Sequence, residues 1–132
     1  MELIIFVGKI VLSTILGSAL GWQRHHMGKA AGGRTYALVS LGSALFTIIS
    51  YNIGSGDPGR IAAQIITGIG FIGAGTILHK KNSIEGLTTA AGLWATSAIG
   101  MAVGFGWYAE AIIAAILMFI VLAVKDAKNK LY

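Results

Sequence analysis

Long apolar runs broken by short polar clusters make up almost the whole chain. A helix needs roughly 17–25 mostly apolar residues to cross a bilayer core. Five runs meet that length, over residues 3–22, 36–53, 62–78, 87–105 and 107–124. The last two meet at a hairpin around Gly106, so an arrangement of four spans with a re-entrant or interfacial piece stays open. Backbone polar groups in lipid must bond internally, which favours helices for runs of this length. The pattern therefore predicts an all-α, polytopic membrane helix bundle, a single transmembrane domain over residues 1–132.

Composition sharpens this reading. The 132 residues are 55% hydrophobic and 11% charged, with a mean hydropathy of +0.77. Soluble domains carry about 25% charged residues. There is no cysteine, which excludes disulfides, thiolate catalysis and cysteine metal sites. The net charge of +5 would suit a nucleic-acid partner, but the charges sit in short loops between apolar runs, where membrane topology is written. No nucleic-acid partner is expected, and the lipid bilayer is the expected surroundings. The acidic start, Met1-Glu2, argues against a cleaved signal peptide.

The loops set an orientation. Arg24, Lys29 and Arg34 fall between the first two runs, Lys80 and Lys81 between the third and fourth, and Lys125, Lys128 and Lys130 after the fifth. Eight of the ten basic residues thus share one side. The positive-inside rule puts the C-terminus in the cytoplasm and the N-terminus outside. Lys9 and Glu110 lie within a turn or two of the outer face and can snorkel to it. A 54-residue offset aligns Gly21–Ala44 with Gly75–Ala98 at seven of 24 positions, including Gly32/Gly86 and Thr35/Thr89. A parallel repeat and a chance match of small residues both account for it.

The segment from Asp57 to Gly75, DPGRIAAQIITGIGFIGAG, has the densest chemistry. Asp57 suits an N-cap and Pro58 a first helical position. Gly68, Gly70, Gly73 and Gly75 strip bulk from the following span, so this helix is expected to touch protein. Gly17 and Gly21 in the first run, and Gly100 and Gly104 in the fourth, form further small faces, assigned first to packing within one protomer. Gly68–Gly73 also fits GxGxxG, but it lies inside an apolar run with no strand before it, which rules out a dinucleotide loop.

The polar candidates each have a plain reading. Arg34, beside Thr35, opens the second helix; it serves topology, or it pairs with a carboxylate, phosphate or lipid headgroup. Arg24 and Lys29 read as topology charges. Asp57 and Arg60 read as a cap and a surface charge, or as an outer gate or ion pair. Gln64 falls inside a span and needs a partner there, most simply a neighbouring helix. Thr88 and Thr89 are expected to bond back to their own helix. His25, His26 and His79 lie in loops and share no face with an acid, so no metal site, cofactor or catalytic constellation is expected, and no enzyme.

These residues together resemble the MgtC/SapB family of bacterial inner-membrane proteins. The resemblance runs from Gly17–Gly21 with Trp22-Gln23-Arg24, through Ala31-Gly-Gly-Arg34-Thr35 and Gly42–Phe46, to Asp57–Gln64, Gly68–Gly75 and Gly86–Ala91. It implies a small polytopic membrane domain linked to growth at low magnesium. It also implies binding of other membrane proteins, including the proton-translocating ATP synthase. Gln23 stands where the family often has an acid before the arginine, which puts any ion pair at that position in doubt. The chain ends at Tyr132 without the ACT-type domain of many members, so input through such a domain is not expected.

Two functions compete. One is a regulator or interaction protein, expected to form a homo-oligomer or to bind partner helices through its glycine faces. The other is a transporter or channel with Gln64, Thr88, Thr89, Arg34 and Asp57 lining a route; Gln23, Arg24, Thr35 and Arg60 complete the candidate binding residues. Magnesium is usually held through carboxylates and retained waters, and no acid lies near a span's middle. The regulator is preferred. Convergence of Gln64, Thr88 and Arg34 on one cavity would favour transport; a lateral placement would favour assembly.

Overall fold

The computed structural model describes residues 2–54 and 56–124. Five helices follow in order: α1 (Leu3–His26), α2 (Gly33–Asn52), α3 (Gly59–Ala74), α4 (Leu87–Phe105) and α5 (Tyr108–Ala123). Each falls on one of the five apolar runs. Two of them, α1 and α4, are long and apolar enough to cross a membrane. The basic residues Lys125, Lys128 and Lys130 lie outside the described residues.

A short antiparallel hairpin, β1 (Leu78–Lys80) and β2 (Ser83–Glu85), joins α3 to α4. It corrects the expectation that the third apolar run stays helical to residue 78. The helix stops at Ala74, Gly75 caps it, and Thr76 turns the chain. Lys80 and Glu85 then close the hairpin with a surface ion pair of 2.7 Å. Gly86, at φ +85°, lies so close to the Thr76 carbonyl that a side chain there would collide with it. At the other end of this segment, Pro58 is the N-cap residue of α3 rather than its first helical residue. The Asp57 carboxylate still serves the helix start, accepting from the Gly59 amide at 2.9 Å.

The centre of the bundle is the pair α2 and α4, which run parallel. Gly92 faces the Tyr36 hydroxyl, Gly100 the Ser40 carbonyl, and Gly104 the Ala44 carbonyl and Thr47 side chain. Contacts therefore advance together along both helices. Beside this pair and touching both helices, α1 packs antiparallel to α2: Gly17 meets Tyr36 and Ser40, and Gly21 meets the Gly32–Gly33 backbone, where an added Cβ would stand 2.6 Å from Gly32 O. α3 lies along α2 and α4, with Gly73 against Ala90. The 54-residue offset aligns Gly33 with Leu87, the first residues of α2 and α4.

The distribution of polarity is inverted relative to a water-soluble bundle. Ser13, Ser40, Ser43, Thr47, Ser50, Thr89, Thr96 and Ser97 are buried, whereas Ile4, Leu38, Phe71, Ile113, Leu117 and Val121 are exposed. Small hydroxyl residues let helices approach closely, and most of these hydroxyls bond a backbone carbonyl. Thr47 donates to Ser43 O at 2.8 Å, Thr96 to Gly92 O at 2.8 Å, and Ser97 to Trp94 O at 2.6 Å. Such back-bonding satisfies the hydroxyl without a partner from another helix.

Not every glycine packs. Gly68 and Gly70 meet no atom within 4 Å, and Gly75 meets only carbonyls of its own helix. The expected contacts at these three are thus absent among the described residues, because α3 turns other residues, Ala62, Ile69 and Gly73, toward the bundle. A methyl at Gly100 must instead push α2 and α4 apart, and overpacking of this kind costs about 1–3 kcal/mol. Gly100→Ala should therefore lower the thermal unfolding midpoint of purified protein, while Gly42→Ala, with open space at its Cβ position, should leave it nearly unchanged.

Candidate functional site

The last turn of α1 carries two polar side chains into the bundle. Arg24 is only 2% exposed and its Nη2 donates to Thr89 Oγ1 at 3.3 Å. This corrects the expectation of a plain loop charge: α1 continues to His26, one helical turn further than the apolar run, and so takes Arg24 inside. It also corrects the role of Thr89, whose hydroxyl accepts from the guanidinium. Gln23 faces another way and donates from Nε2 to the Phe119 carbonyl of α5 at 3.0 Å.

Arg24 Nε, Gln23 Oε1, the Tyr36 hydroxyl and Ser40 Oγ are buried without a hydrogen-bond partner among the described residues. Among those residues the only ion pair is Lys80–Glu85, so no carboxylate neutralises Arg24 there. Two features ease the buried charge. Arg24 lies in the last turn of α1, where the helix dipole favours a cation. The Thr89 oxygen supplies one acceptor. Nothing in the sequence marks Tyr36 as part of this cluster, since a tyrosine at a span end reads as an interfacial anchor. It is instead fully buried, with Gly92 making room for its ring on α4.

A second feature is a groove of about 640 Å³ between α2 and α3. Thr35, Leu38, Gly42 and Phe46 line one wall, and Gln64 and Gly68 the other. Gln64 and Thr35 are thus brought to one groove, but both are exposed at its surface. Arg34 stands exposed one turn from Leu38, at the N-terminal end of α2. Thr88 is exposed at the start of α4, and Asp57 and Arg60 are exposed at the start of α3. Gln64, Thr88 and Arg34 therefore do not converge on an enclosed cavity.

Among the described residues no group of three or more His, Asp or Glu side chains is placed to hold a metal ion. Lys9 is half-buried, and its ammonium donates to the Gly104 carbonyl, 2.8 Å away, in the last turn of α4. A helix C-terminus attracts such a cation.

The Arg24–Thr89 contact gives a direct test. Thr89→Val removes an acceptor from a buried guanidinium, a loss of about 1–3 kcal/mol for an unsatisfied polar group. The same change in an Arg24→Met background should cost clearly less, and the difference, read from thermal unfolding of the four proteins, is the coupling energy. Gln23→Glu removes the donor to Phe119 and sets a carboxylate against that carbonyl. Faster amide hydrogen exchange in the C-terminal half of α5 is the expected outcome.

The chain is similar to several known bacterial proteins. YhiD of Escherichia coli K12, whose name proposes magnesium transport, is 45% identical over 129 residues, covering 90% of this chain and 60% of YhiD. An uncharacterised protein of Haemophilus influenzae is 44% identical over 131 residues, covering 90% of this chain and 54% of that protein. Protein MgtC of Salmonella typhimurium is 40% identical over 113 residues, covering 86% of this chain and 49% of MgtC. The chain therefore spans about half to three-fifths the length of the curated relatives it matches. No solved structure matches it. The sequence pattern of the MgtC family matches residues 10–131, and with nearly the whole chain inside that match, the protein belongs to the MgtC family.

Proposed function

We propose that this chain is a multi-pass domain of the bacterial cytoplasmic membrane that regulates other membrane proteins by helix contact under magnesium limitation. The inverted polarity of the bundle supports membrane embedding, because exposed Ile4, Phe71 and Val121 are tolerable in lipid and costly in water. All five helices then cross the bilayer. The 16-residue α3 and α5 are about 24 Å long at 1.5 Å per residue, and local thinning of the bilayer takes up such a mismatch. Lys29, Arg34, Lys80 and Lys81 share the end that the positive-inside rule assigns to the cytoplasm.

One observation carries the regulatory reading. Ala63, Thr67, Gly70 and Ala74 recur at helical spacing on α3 and are all exposed. They form a small-residue face turned away from the groove and from α4, of the kind on which membrane helices dock. The helix of another membrane protein is the occupant we assign to it; the ATP synthase is one candidate through the family, and a second copy of this chain is the alternative occupant. Magnesium conduction has less support. Glu2, Asp57, Glu85 and Glu110 all lie at helix ends or in the hairpin, away from a midplane where a hydrated cation would need them.

Gly70→Leu tests the reading, because open space at Gly70 lets the protomer keep its fold. The variant should retain the wild-type unfolding midpoint and lose its co-purifying membrane partner. Retention of the partner would sink the assignment of this face. Magnesium-gradient-driven flux in proteoliposomes that Gln64→Leu abolishes would replace regulation by transport.

A further inference from the structure

The groove between α2 and α3 has a feature that helix packing alone does not require. Gly42 on α2 and Gly68 on α3 both line it, and neither has any atom within 4 Å of its Cβ position. Elsewhere in the bundle glycines bring backbones together; here two glycines on neighbouring helices leave space between them. The walls are otherwise mostly apolar, with Leu38 and Ile72 near one end; Thr35, Ser43 and Gln64 are the polar side chains among them. That end is also the basic one. Arg34 is exposed one turn above Leu38 on the same face of α2.

The N-terminus of α2 adds to the positive field at this end. Gly32 gives it no side-chain cap and its first turn contains no acid, so its free amides and the helix dipole favour an anion. Thr35, in the groove wall, supplies a hydroxyl beside Arg34.

We propose that this groove binds one anionic phospholipid, with an acyl chain between Gly42 and Gly68 and the phosphate at Arg34, Thr35 and the first amides of α2. The proposal rests on the membrane reading above. Charge complementarity selects an anionic headgroup over a zwitterionic one, and the missing side chains admit a chain of methylenes where a packed pair of helices would not. Gln64 lies five residues from the start of α3, about 7–8 Å along the axis. Its amide can therefore snorkel to the opposite headgroup layer rather than stay in contact with the chain.

Native mass spectrometry of purified protein titrated with phosphatidylglycerol or phosphatidylethanolamine tests this. One equivalent of phosphatidylglycerol should be retained at about tenfold lower lipid concentration than phosphatidylethanolamine, a difference of about 1.4 kcal/mol. Arg34→Gln, at an exposed position, should bring the two lipids to parity. Gly68→Leu should weaken retention of both, at an unchanged unfolding midpoint.

Equal binding of the two lipids by the wild-type chain would overturn the proposal, as would full retention by a folded Gly68→Leu. The natural sequence has no cysteine, so Gly68→Cys gives a single thiol. Efficient disulfide dimerisation through it in membranes would assign the groove to a second copy instead. Carbonate extraction separates the two layers of the argument. Protein released to the soluble fraction overturns the membrane reading and the lipid site together; protein kept in the membrane without headgroup preference overturns the lipid site alone.

Discussion

Everything else in this bundle is arranged around the close approach of α2 and α4. Gly92, Gly100 and Gly104 let the backbone of one helix touch the side chains and carbonyls of the other. At such a distance there is no room for a layer of large side chains between the two axes. The contact faces of the two helices are therefore built largely from serine, threonine, alanine and glycine, while larger side chains such as Leu20, Leu93 and Val103 fill the interior beside them. The inverted polarity is a consequence of this geometry as much as of the surroundings. Dispersion contacts between closely spaced backbones add to those of the buried Leu20, Leu93 and Leu122.

Small hydroxyl residues bring a second obligation, since each buried hydroxyl needs an acceptor. Thr47, Thr96 and Ser97 meet it within their own helices. Arg24 cannot. Its guanidinium has five donors, and Thr89 accepts from it without neutralising it. The Tyr36 hydroxyl, on the other helix facing α4, is likewise buried without a partner. The most polar part of the interior thus coincides with the junction of α1, α2 and α4. Arg24 also lies in the part of the chain where the family resemblance is dense, while the exposed face of α3 carries its own dense stretch of the same resemblance.

How much of this could be read from the sequence differs by element. The five helices were legible because apolar length is a strong signal, and the Asp57-Pro58 start of α3 was legible to within one residue. The β1–β2 hairpin was not: three-residue strands fall below any periodicity, and the apolar Ile77-Leu78 pair extends the preceding run past the true helix end. Arg24 was misread because counting basic residues by loop says nothing about depth. Its neighbour Gln23 looked like a replaced acid, whereas its amide nitrogen has a use a carboxylate would lack, donation to Phe119. Glycine positions showed where bulk is missing, but not whether the space is filled; Gly100 and Gly68 look alike in the chain and are opposites in the fold.

The two polar ends of α1 have a mechanical consequence. Lys9 is tied to the end of α4 through Gly104, and within the last turn before its own C-terminus the helix is tied again, through Arg24 to the start of α4 and through Gln23 to α5. Bolted at both ends to the same neighbour, α1 resists tilting or sliding against α4, and α5 is held to the same frame. Among the described residues α3 has no comparable side-chain hydrogen bond to another helix along its length; the Ser50 hydroxyl donates to the Pro58 carbonyl, at its entry. The described residues therefore divide into a frame braced by side-chain hydrogen bonds and one rod, α3, held against α2 and α4 by packing.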